Sequence, residues 1–482
     1  MKSHKLGINA IFNVFYMTIN VLFPIVVVSY VSKILLPDGV GLVASAQNFV
    51  SYFTMLASLG IPTYGVRVIA RCKNDFDARS NAFSELISLN AIMTTVCMAF
   101  YFGVILFFET YRNNITLYLA VGMLLFFNYF NVDWLYQGLE AYASISIRGV
   151  IIKTLSLLLI ILFVNNQSDS IIYALISSAA VGANNLYNCI RAKKYVKYTF
   201  RDIELKKHYR PITWLFLSVV SAELYSKVDV SMLSRMCGNN EVGYYTNSQK
   251  TISIICTVSA AMTAVFLPRL SDLFFTNREK FNSLIGKGTS ILFYLTVPML
   301  IGINIVVVPL FNLLFGNLFS PAVVSARILS PLIVIKGLGD LLCYQTLIAT
   351  NNEKKITYAA AMTAVMNVVL NACLIPMLSQ NGAAIASVVS ELANNSLLLY
   401  WSLKILKIDW KKCGALKALI SGICMGVLLI PIKKLFSDDA AGIVLTVIVG
   451  ATLYFVFSIV LRHPIGCLVI ETLKKKILRG KK

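Results

Sequence analysis

The chain has 482 residues, of which 57% are apolar and only 13% are charged, and its formal net charge at pH 7 is +21. Soluble domains are about 25% charged, so this composition excludes a series of soluble domains and indicates a protein that crosses a membrane many times. A basic excess often marks nucleic-acid binding. Here the basic residues form short clusters between apolar runs, so we expect no nucleic-acid partner.

The apolar runs predict the transmembrane helices, since a helix that crosses a bilayer needs about 20 mostly apolar residues. Fourteen runs of this kind lie between polar breaks, and twelve spans remain an alternative count. In chain order they are 8–32, 41–65, 83–107, 116–138, 147–164, 170–190, 212–236, 243–267, 286–310, 324–349, 357–378, 382–403, 415–432 and 441–461. The sequence therefore predicts an all-α polytopic membrane protein with about 14 transmembrane helices.

Basic residues are divided unequally between alternate loops. With the N-terminus in the cytoplasm, the inside loops carry the large clusters, such as the eight basic residues from Arg191 to Arg210. The outside loops then carry only Lys33, Arg112, Lys433 and Lys434. Because basic loops stay in the cytoplasm, we expect both termini to be cytoplasmic. The inside clusters are expected to contact anionic membrane lipids.

The length of the outside loops and the few residues suited to catalysis argue against an enzyme. Every predicted outside loop is short and leaves no room for a catalytic domain. The three histidines, His4, His208 and His463, fall in predicted loops or tails, so a metal site or a histidine proton relay within the membrane is not expected. A phosphate-binding loop for ATP is lacking as well. We expect no cofactor other than a coupling ion.

An internal repeat relates the two halves of the chain. Residues 29–47 align without gaps to residues 231–249, an offset of 202 that pairs Gly41 with Gly243. The matches continue in order while the offset grows, as small loop insertions would cause. They pair Tyr136-Gln137 with Tyr344-Gln345 at offset 208, and Ala183-Asn184-Asn185 with Ala393-Asn394-Asn395 at offset 210.

The repeat predicts the organisation of the chain. Residues 1–211 form an N-lobe of six helices, residues 212–414 form a C-lobe of six, and residues 415–482 add two helices and a basic cytoplasmic tail. Because six is even, both lobes have the same orientation in the membrane and should be related by an axis along its normal. Parallel repeats around a central cavity are typical of transporters that work by alternating access.

Ionisable side chains within the spans mark the candidate site, because each costs about 3 kcal/mol or more in the bilayer. Glu223 with Lys227, and Lys336 with Asp340, are four residues apart and so share a helix face. Each pair fits two interpretations: a structural ion pair, or groups that face a watery cavity. The candidates for substrate binding are Lys153, Lys227, Lys250, Arg327 and Lys336, and the acidic candidates for ion coupling or the cavity are Asp133, Glu223, Asp229, Asp340 and Glu391.

Three segments resemble a known family. The residues DWLYQGLE at 133–140 are similar to the segment that closes helix four in bacterial polysaccharide flippases of the Wzx type. The residues LGIPTYGVR at 59–67 and the stretch 33–41 resemble that family as well. Its superfamily also contains the drug/cation antiporters and the lipid II flippase. The resemblance covers the first twelve helices, and fourteen helices match the lipid II flippase in number.

The resemblance implies a function. Such a flippase moves undecaprenyl-diphosphate-linked oligosaccharide from the inner to the outer face of the bacterial cytoplasmic membrane, for O-antigen or capsule. Coupling to H⁺ or Na⁺, and partnership with the polymerase and chain-length proteins of the pathway, are implied too. Aromatic side chains that could stack on sugars are Tyr64, Trp134, Tyr136, Tyr225 and Tyr344. The alternatives are a small-molecule antiporter of the same fold and a membrane polymerase or ligase.

Overall fold

The structure, a computed structural model, consists of helices throughout the described residues. The backbone is described for residues 2–199, 204–350, 352–406 and 413–479. Side chains are described for the same residues except 2–22, 142–147, 214–215, 217–219, 221–222, 224–226, 260–268, 271 and 472–479. The N-terminal basic residues, Tyr225 and the basic side chains of the tail therefore lie outside the described side chains.

Seventeen α-helices account for most of the described chain. They are α1 Lys2–Ser58, α2 Ile61–Arg71, α3 Phe76–Phe107, α4 Glu109–Arg112, α5 Ile115–Phe126, α6 Asp133–Gly138, α7 Tyr142–Phe163, α8 Ser170–Ala192, α9 Lys206–Met236, α10 Asn239–Thr276, α11 Arg278–Phe315, α12 Ser320–Leu329, α13 Leu332–Asp340, α14 Glu353–Leu403, α15 Ala415–Lys433, α16 Ala440–Val460 and α17 Pro464–Arg479. Short 3₁₀-helices occupy Phe127–Phe130, Gln167–Asp169 and Asn317–Phe319, and a π-helix occupies Leu341–Ile348.

These helices confirm the predicted all-α membrane fold. Among the described residues, six helices are long and apolar enough to cross a bilayer, or seven if the bent segment from Asn317 to Ile348 is one span. Two long helices each contain two predicted spans joined at a kink. In α1 the kink is at Leu36 (φ 59°), directly before Pro37, and in α14 it is at Ser379 (φ 49°). Proline disfavours helical backbone in the residue before it, which accounts for the first kink.

The fourth and tenth predicted spans are not regular helices. The fourth span is α5, a 3₁₀ turn and α6, and the N–H of Asn131 bonds to the carbonyl of Asn128 instead of continuing the helical ladder. The tenth span is α12, α13 and the π-helix. Irregular backbone at membrane depth is tolerated where protein or a water-filled cavity surrounds it. Both breaks therefore mark places where a site can form.

Side chains cap several helix starts at the loops. Asp75 accepts the N–H groups of Asp77 and Ala78 at 3.0 Å each before α3, and Asp439 accepts the N–H of Gly442 at 2.8 Å before α16. Such caps bond amide groups that a helix start leaves without internal partners. They explain why these helices begin one residue after an acidic side chain.

The chain divides into two compact units, residues 1–243 and 244–482. In the first unit, one core surrounds Tyr101 and Val121, and another contains Phe83, Trp134 and Tyr136. In the second unit, a core contains Phe281, with residues of the π-helix and α14 packed around it. The predicted lobe boundaries at residues 211 and 414 are limits of a sequence repeat and remain predictions.

Candidate functional site

A cavity of about 420 Å³ lies within the second unit at the irregular tenth span. Lys336 and Asp340 reach it from α13, one helical turn apart, and Glu391 reaches it from α14. The remaining lining residues come from α10, α13, the π-helix and α14, and they include Ser253, Cys256, Gly339, Cys343, Tyr344 and Asn394. The structure thus brings together three of the ten site residues that the sequence predicted.

Glycine allows the helices around this cavity to pack closely. A Cβ on Gly337 would lie 2.6 Å from Leu292 Cδ1, and a Cβ on Gly339 would lie 2.5 Å from Asn395 Oδ1. Any larger residue would push α13 away from its neighbours. Gly337 packs toward Leu292 of α11, and Gly339 packs toward Asn395 of α14, so α13 lies close to both neighbouring helices while Lys336 and Asp340 line the cavity.

The charges of the cavity are one ammonium group and two carboxylates. Asp340 lies close enough to both Glu391 and Lys336 to interact with them electrostatically, and Glu391 is only 8% exposed. In a site of low dielectric constant, two neighbouring carboxylates are stable only if a cation or a proton offsets part of their charge. This arrangement can bind an anionic group at Lys336 and a small cation between the acids.

A second polar cluster lies in the first unit, beside the break in the fourth span. Asp133 accepts a hydrogen bond from the Asn188 amide. Arg148 lies near it: its Nε donates to Asn184 Oδ1 at 3.1 Å, and its guanidinium is 5.4 Å from the centre of the Tyr187 ring. Arg148 is only 6% exposed. Sequence reasoning missed this arginine because it stands at the edge of an apolar run, where basic residues usually belong to a loop.

The helix α9 carries three more candidates. Lys227 and Glu223, which their spacing placed on one helix face, form an ion pair, and both side chains are partly exposed. Asp229 is almost fully buried (2% exposed). Close by, Asn48 of α1 donates to Ser231 Oγ at 2.8 Å and to the Lys227 carbonyl at 3.1 Å. The pair therefore lies on a helix that is fixed to α1 by polar contacts.

The other basic candidates do not line the cavity. Lys250 and Arg327 are exposed side chains of α10 and α12. Lys153 of α7 is partly buried, with its Nζ 5.7 Å from the centre of the Phe23 ring. The role of all ten residues in substrate or ion binding stays a prediction. Among the basic ones, Lys336 has the surroundings most suited to it.

The aromatic candidates differ in their surroundings. Tyr344 lines the cavity and is 45% exposed. Its repeat counterpart Tyr136 is fully buried, with its hydroxyl donating to the Asn188 carbonyl at 2.7 Å, and Trp134 is 2% exposed. Trp134 and Tyr136 therefore cannot stack on a sugar in this conformation. Both side chains pack in the core, and the sequence pattern could not distinguish a core aromatic residue from one that faces a cavity.

The expectation that His208 lies in a loop was wrong. It stands in the first turn of α9, 3% exposed, where its Nε2 is 2.8 Å from Glu85 Oε2 and its Nδ1 is 2.9 Å from the Tyr64 hydroxyl. Lys207 Nζ is 2.7 Å from the other oxygen of Glu85. Loop-like composition concealed this cluster, because His208 is 123 residues from Glu85 and 144 residues from Tyr64 along the chain.

Comparison with known proteins gives a consistent result. A family model described as polysaccharide biosynthesis protein matches residues 6–274. A protein of Escherichia coli (strain K12), which its name proposes to be an O-antigen transporter, is 22% identical over 410 residues, covering 83% of this chain and 97% of that protein. A protein of Haloferax volcanii, which its name proposes to be a flippase of low-salt glycan biosynthesis, is 22% identical over 216 residues, covering 44% of this chain and 46% of that protein.

Solved structures share the fold. The lipid II flippase MurJ in an inward closed conformation superposes with a TM-score of 0.74 at 15% identity, covering 95% of this chain and 99% of that chain. An inward-facing multidrug transporter of the MATE family superposes with a TM-score of 0.62 at 17% identity, covering 80% and 94%. At these identities the likeness concerns the fold alone.

Proposed function

Because this chain belongs to the polysaccharide biosynthesis protein family, we propose that it is a flippase for a lipid-linked oligosaccharide. It moves undecaprenyl-diphosphate-linked repeat units from the cytoplasmic to the outer leaflet of the bacterial cytoplasmic membrane, for O-antigen or capsule. The names of two relatives, an O-antigen transporter and a glycan biosynthesis flippase, support this substrate class. The fold shared with a lipid II flippase supports the mode of action.

The cavity around Lys336 is the observation that carries the proposal. A diphosphate needs a cation at membrane depth, and Lys336 supplies one next to the polar groups of Asn394 and Tyr344. The lipid tail needs no polar site, since it can stay in the bilayer. Sugars bind through hydrogen bonds and aromatic faces, and Tyr344 offers both.

The two carboxylates give a reason for ion coupling. With Asp340 and Glu391 both ionised, the cavity repels a diphosphate. A proton or Na⁺ bound between them removes part of this repulsion, so occupancy of the acids by the ion changes the affinity of the cavity for the diphosphate. Because the gradient of H⁺ or Na⁺ points into the cell while the substrate moves outward, the gradient drives export only if the protein exchanges the ion for the substrate instead of carrying both together. Under this proposal, export by the Asp340→Asn and Glu391→Gln variants depends less on the ion gradient than export by the wild type does.

The first unit supplies a second basic group. Arg148 is buried beside Asp133, near the break in the fourth span, which is the repeat counterpart of the tenth. A planar guanidinium binds phosphate oxygens in two places at once, better than an ammonium group does. Within the first unit, we include Arg148 and Asp133 among the proposed substrate-binding groups, together with the Glu223–Lys227 pair.

A gene deletion with complementation tests the proposal. The deletion strain should lose its surface polysaccharide, and its lipid-linked units should remain in the inner leaflet, protected from a periplasmic ligase or an external glycosidase. Complementation with Lys336→Ala should fail, whereas Lys354→Ala, a change at an exposed lysine of the next helix, should restore export. Normal surface polysaccharide in the deletion strain would overturn the proposed function.

The alternatives predict other results. A small-molecule antiporter would change resistance to cationic dyes, and a polymerase or ligase would form glycosidic bonds in purified form. The family and the relatives favour neither. The proposal also places both termini in the cytoplasm and includes contact with the polymerase and chain-length proteins of the pathway. Accessibility of single cysteines in the outer and inner loops tests the orientation.

A further inference from the structure

Two asparagines make the same unusual contact in the two units. The side-chain amide of Asn395 in α14 donates to the backbone carbonyl of Ile335 in α13. In the first unit, the side-chain amide of Asn185 in α8 donates to the carbonyl of Phe127, at the start of the 3₁₀ turn that interrupts the fourth span, at 3.3 Å. Both asparagines are at least 92% buried.

The repeat relates donors and acceptors alike. Asn185 and Asn395 are matched by the repeat at offset 210, and Phe127 and Ile335 are 208 residues apart, the offset of the tyrosine match. If each amide packed against its helix by chance, the two would not be expected to bond to equivalent carbonyls. The contact is therefore a property of the repeat, and we look for its purpose at the irregular span that each acceptor belongs to.

In the first unit the acceptor lies where the helical ladder is interrupted. Past Phe127, the N–H of Asn131 bonds to Asn128, so the regular bond from Asn131 to the Phe127 carbonyl is not made. A backbone carbonyl at a helix break inside a membrane protein needs a partner from the protein, and the Asn185 amide provides it. In the second unit Ile335 lies inside α13, six residues before the π-helix begins at Leu341, so the Asn395 amide adds a bond to a carbonyl of a regular helix and ties α13 to α14.

In the second unit the contact joins the two sides of the cavity. Ile335 directly precedes Lys336, and Asn395 follows Glu391 by one helical turn on α14. The Asn395 carbonyl oxygen also lies against Gly339, in the place that a Cβ would take. Asn395 thus touches α13 on both sides of Lys336 and directly before Asp340, from the helix that carries Glu391.

We propose that Asn395 is a positioning residue, which fixes α13 so that Lys336 and Asp340 face Glu391 across the cavity. Asn185 has the equivalent role at the break beside Asp133. The part of this proposal that concerns export rests on the proposed function; the part that concerns the position of the π-helix does not. An amide is required because it donates to a carbonyl, which neither a carboxylate nor a methyl group does.

Alkylation of Cys343 tests the position of the π-helix without any transport assay. Cys343 lines the cavity and is half-buried. In a protein whose other nine cysteines are replaced, Asn395→Asp keeps the shape but removes the donor, and Asn395→Ala removes both. We expect a membrane-permeant maleimide to label Cys343 at least threefold faster in both variants. Ser396→Ala, at the next and exposed position of α14, is the matched control and should label at the wild-type rate.

Export in cells tests the role in transport. Asn395→Asp should reduce export at least tenfold at a normal protein level, and Asn395→Gln, which keeps the donor, should restore part of it. Asn185→Asp should reduce export while the labelling rate of Cys343 stays unchanged. If the Asn395 variants do not accumulate in cells, this variant still tests the positioning role through export. An unchanged labelling rate in Asn395→Asp, or full export in both Asp variants, would overturn the positioning role. Normal export in both the deletion strain and the strain complemented with Lys336→Ala would instead refute the proposed function.

Discussion

Gly41 and Gly243, counterparts in the internal repeat, meet within the first compact unit. A Cβ on Gly41 would lie 2.8 Å from the Gly243 amide nitrogen and 1.8 Å from the Asn239 carbonyl oxygen. A Cβ on Gly243 would lie 2.2 Å from the Pro37 carbonyl oxygen. Backbone therefore packs directly on backbone at this point, and each position requires a glycine for lack of space. The glycine match that helped to reveal the repeat therefore also marks a close backbone contact.

Gly41→Ala should destabilise this conformation. The added methyl group meets backbone atoms that cannot rotate away, and overpacking of this kind costs about 1–3 kcal/mol. Thermal unfolding of the purified protein in detergent should show a lower midpoint. Gly103→Ala is the control, because no atom lies within 4 Å of its added Cβ and alanine favours a helix. Equal midpoints for the two variants would show that the contact is absent in solution.

Lys336→Ala should abolish export more completely than the other single lysine and arginine changes. Lys336 lies in the cavity with two carboxylates, whereas Arg327 is an exposed side chain outside that lining. The measurement is surface polysaccharide in a complemented deletion strain, normalised to protein level. We expect at least a tenfold loss for Lys336→Ala and a smaller loss for Lys227→Ala and Arg327→Ala. If all three variants export normally, these residues are structural.

Glu85→Gln should lower stability strongly, and Glu140→Gln should not change it measurably. Glu85 is 2% exposed and lies between Lys207 and His208, so the neutral amide leaves buried polar groups without their charged partner. Such a loss costs about 1–3 kcal/mol. Glu140 pairs with Lys73 at 2.8 Å, but both are exposed and solvent screens the pair. Unfolding midpoints of the two variants at neutral pH compare the pairs directly.

The stability of the protein should fall as the pH falls from about 6.5 to 4, partly through His463. Burial, with a further contribution from Lys417, lowers the pKa of His463 to about 4, well below the ordinary value of 6.5. Between these values the unfolded chain binds a proton that the folded protein excludes, so unfolding becomes easier as the pH falls. At pH 5 the loss is about 2 kcal/mol relative to neutral pH.

His463→Gln distinguishes this contribution from other acid effects. The variant should show a smaller drop in unfolding midpoint between pH 7.5 and pH 5 than the wild type does. The ring of His463 lies 5.0 Å from that of Tyr294, and the Ile465 N–H donates to its Nδ1 at 3.2 Å, so a neutral ring suits this position. Identical pH dependence in the variant and the wild type would contradict a buried neutral His463.

The sequence named several residues of the candidate site, but it did not predict which of them lie together. The spacing of Glu223 and Lys227 placed both on one helix face, where they form an ion pair, because residues four apart on one helix are neighbours whatever surrounds them. The meeting of Lys336 with Glu391 could not be predicted, since they belong to different helices and the packing of α13 on α14 decides it. Arg148 was missed because it stands at the edge of an apolar run, and His208 was placed in a loop because the first turn of α9 has a loop-like composition.

The sequence by itself determined that the chain is a helical membrane protein with two related halves, and it indicated the family. The physical reason is that a bilayer requires long apolar segments with internally bonded backbone, so each span can be recognised locally. Only the tertiary structure decided that Tyr344 faces a cavity while its counterpart Tyr136 is buried, and that Asn185 and Asn395 bond to backbone carbonyls of the fourth and tenth spans. Those differences depend on which side of a helix meets a neighbour distant in the chain, and local sequence does not contain that information.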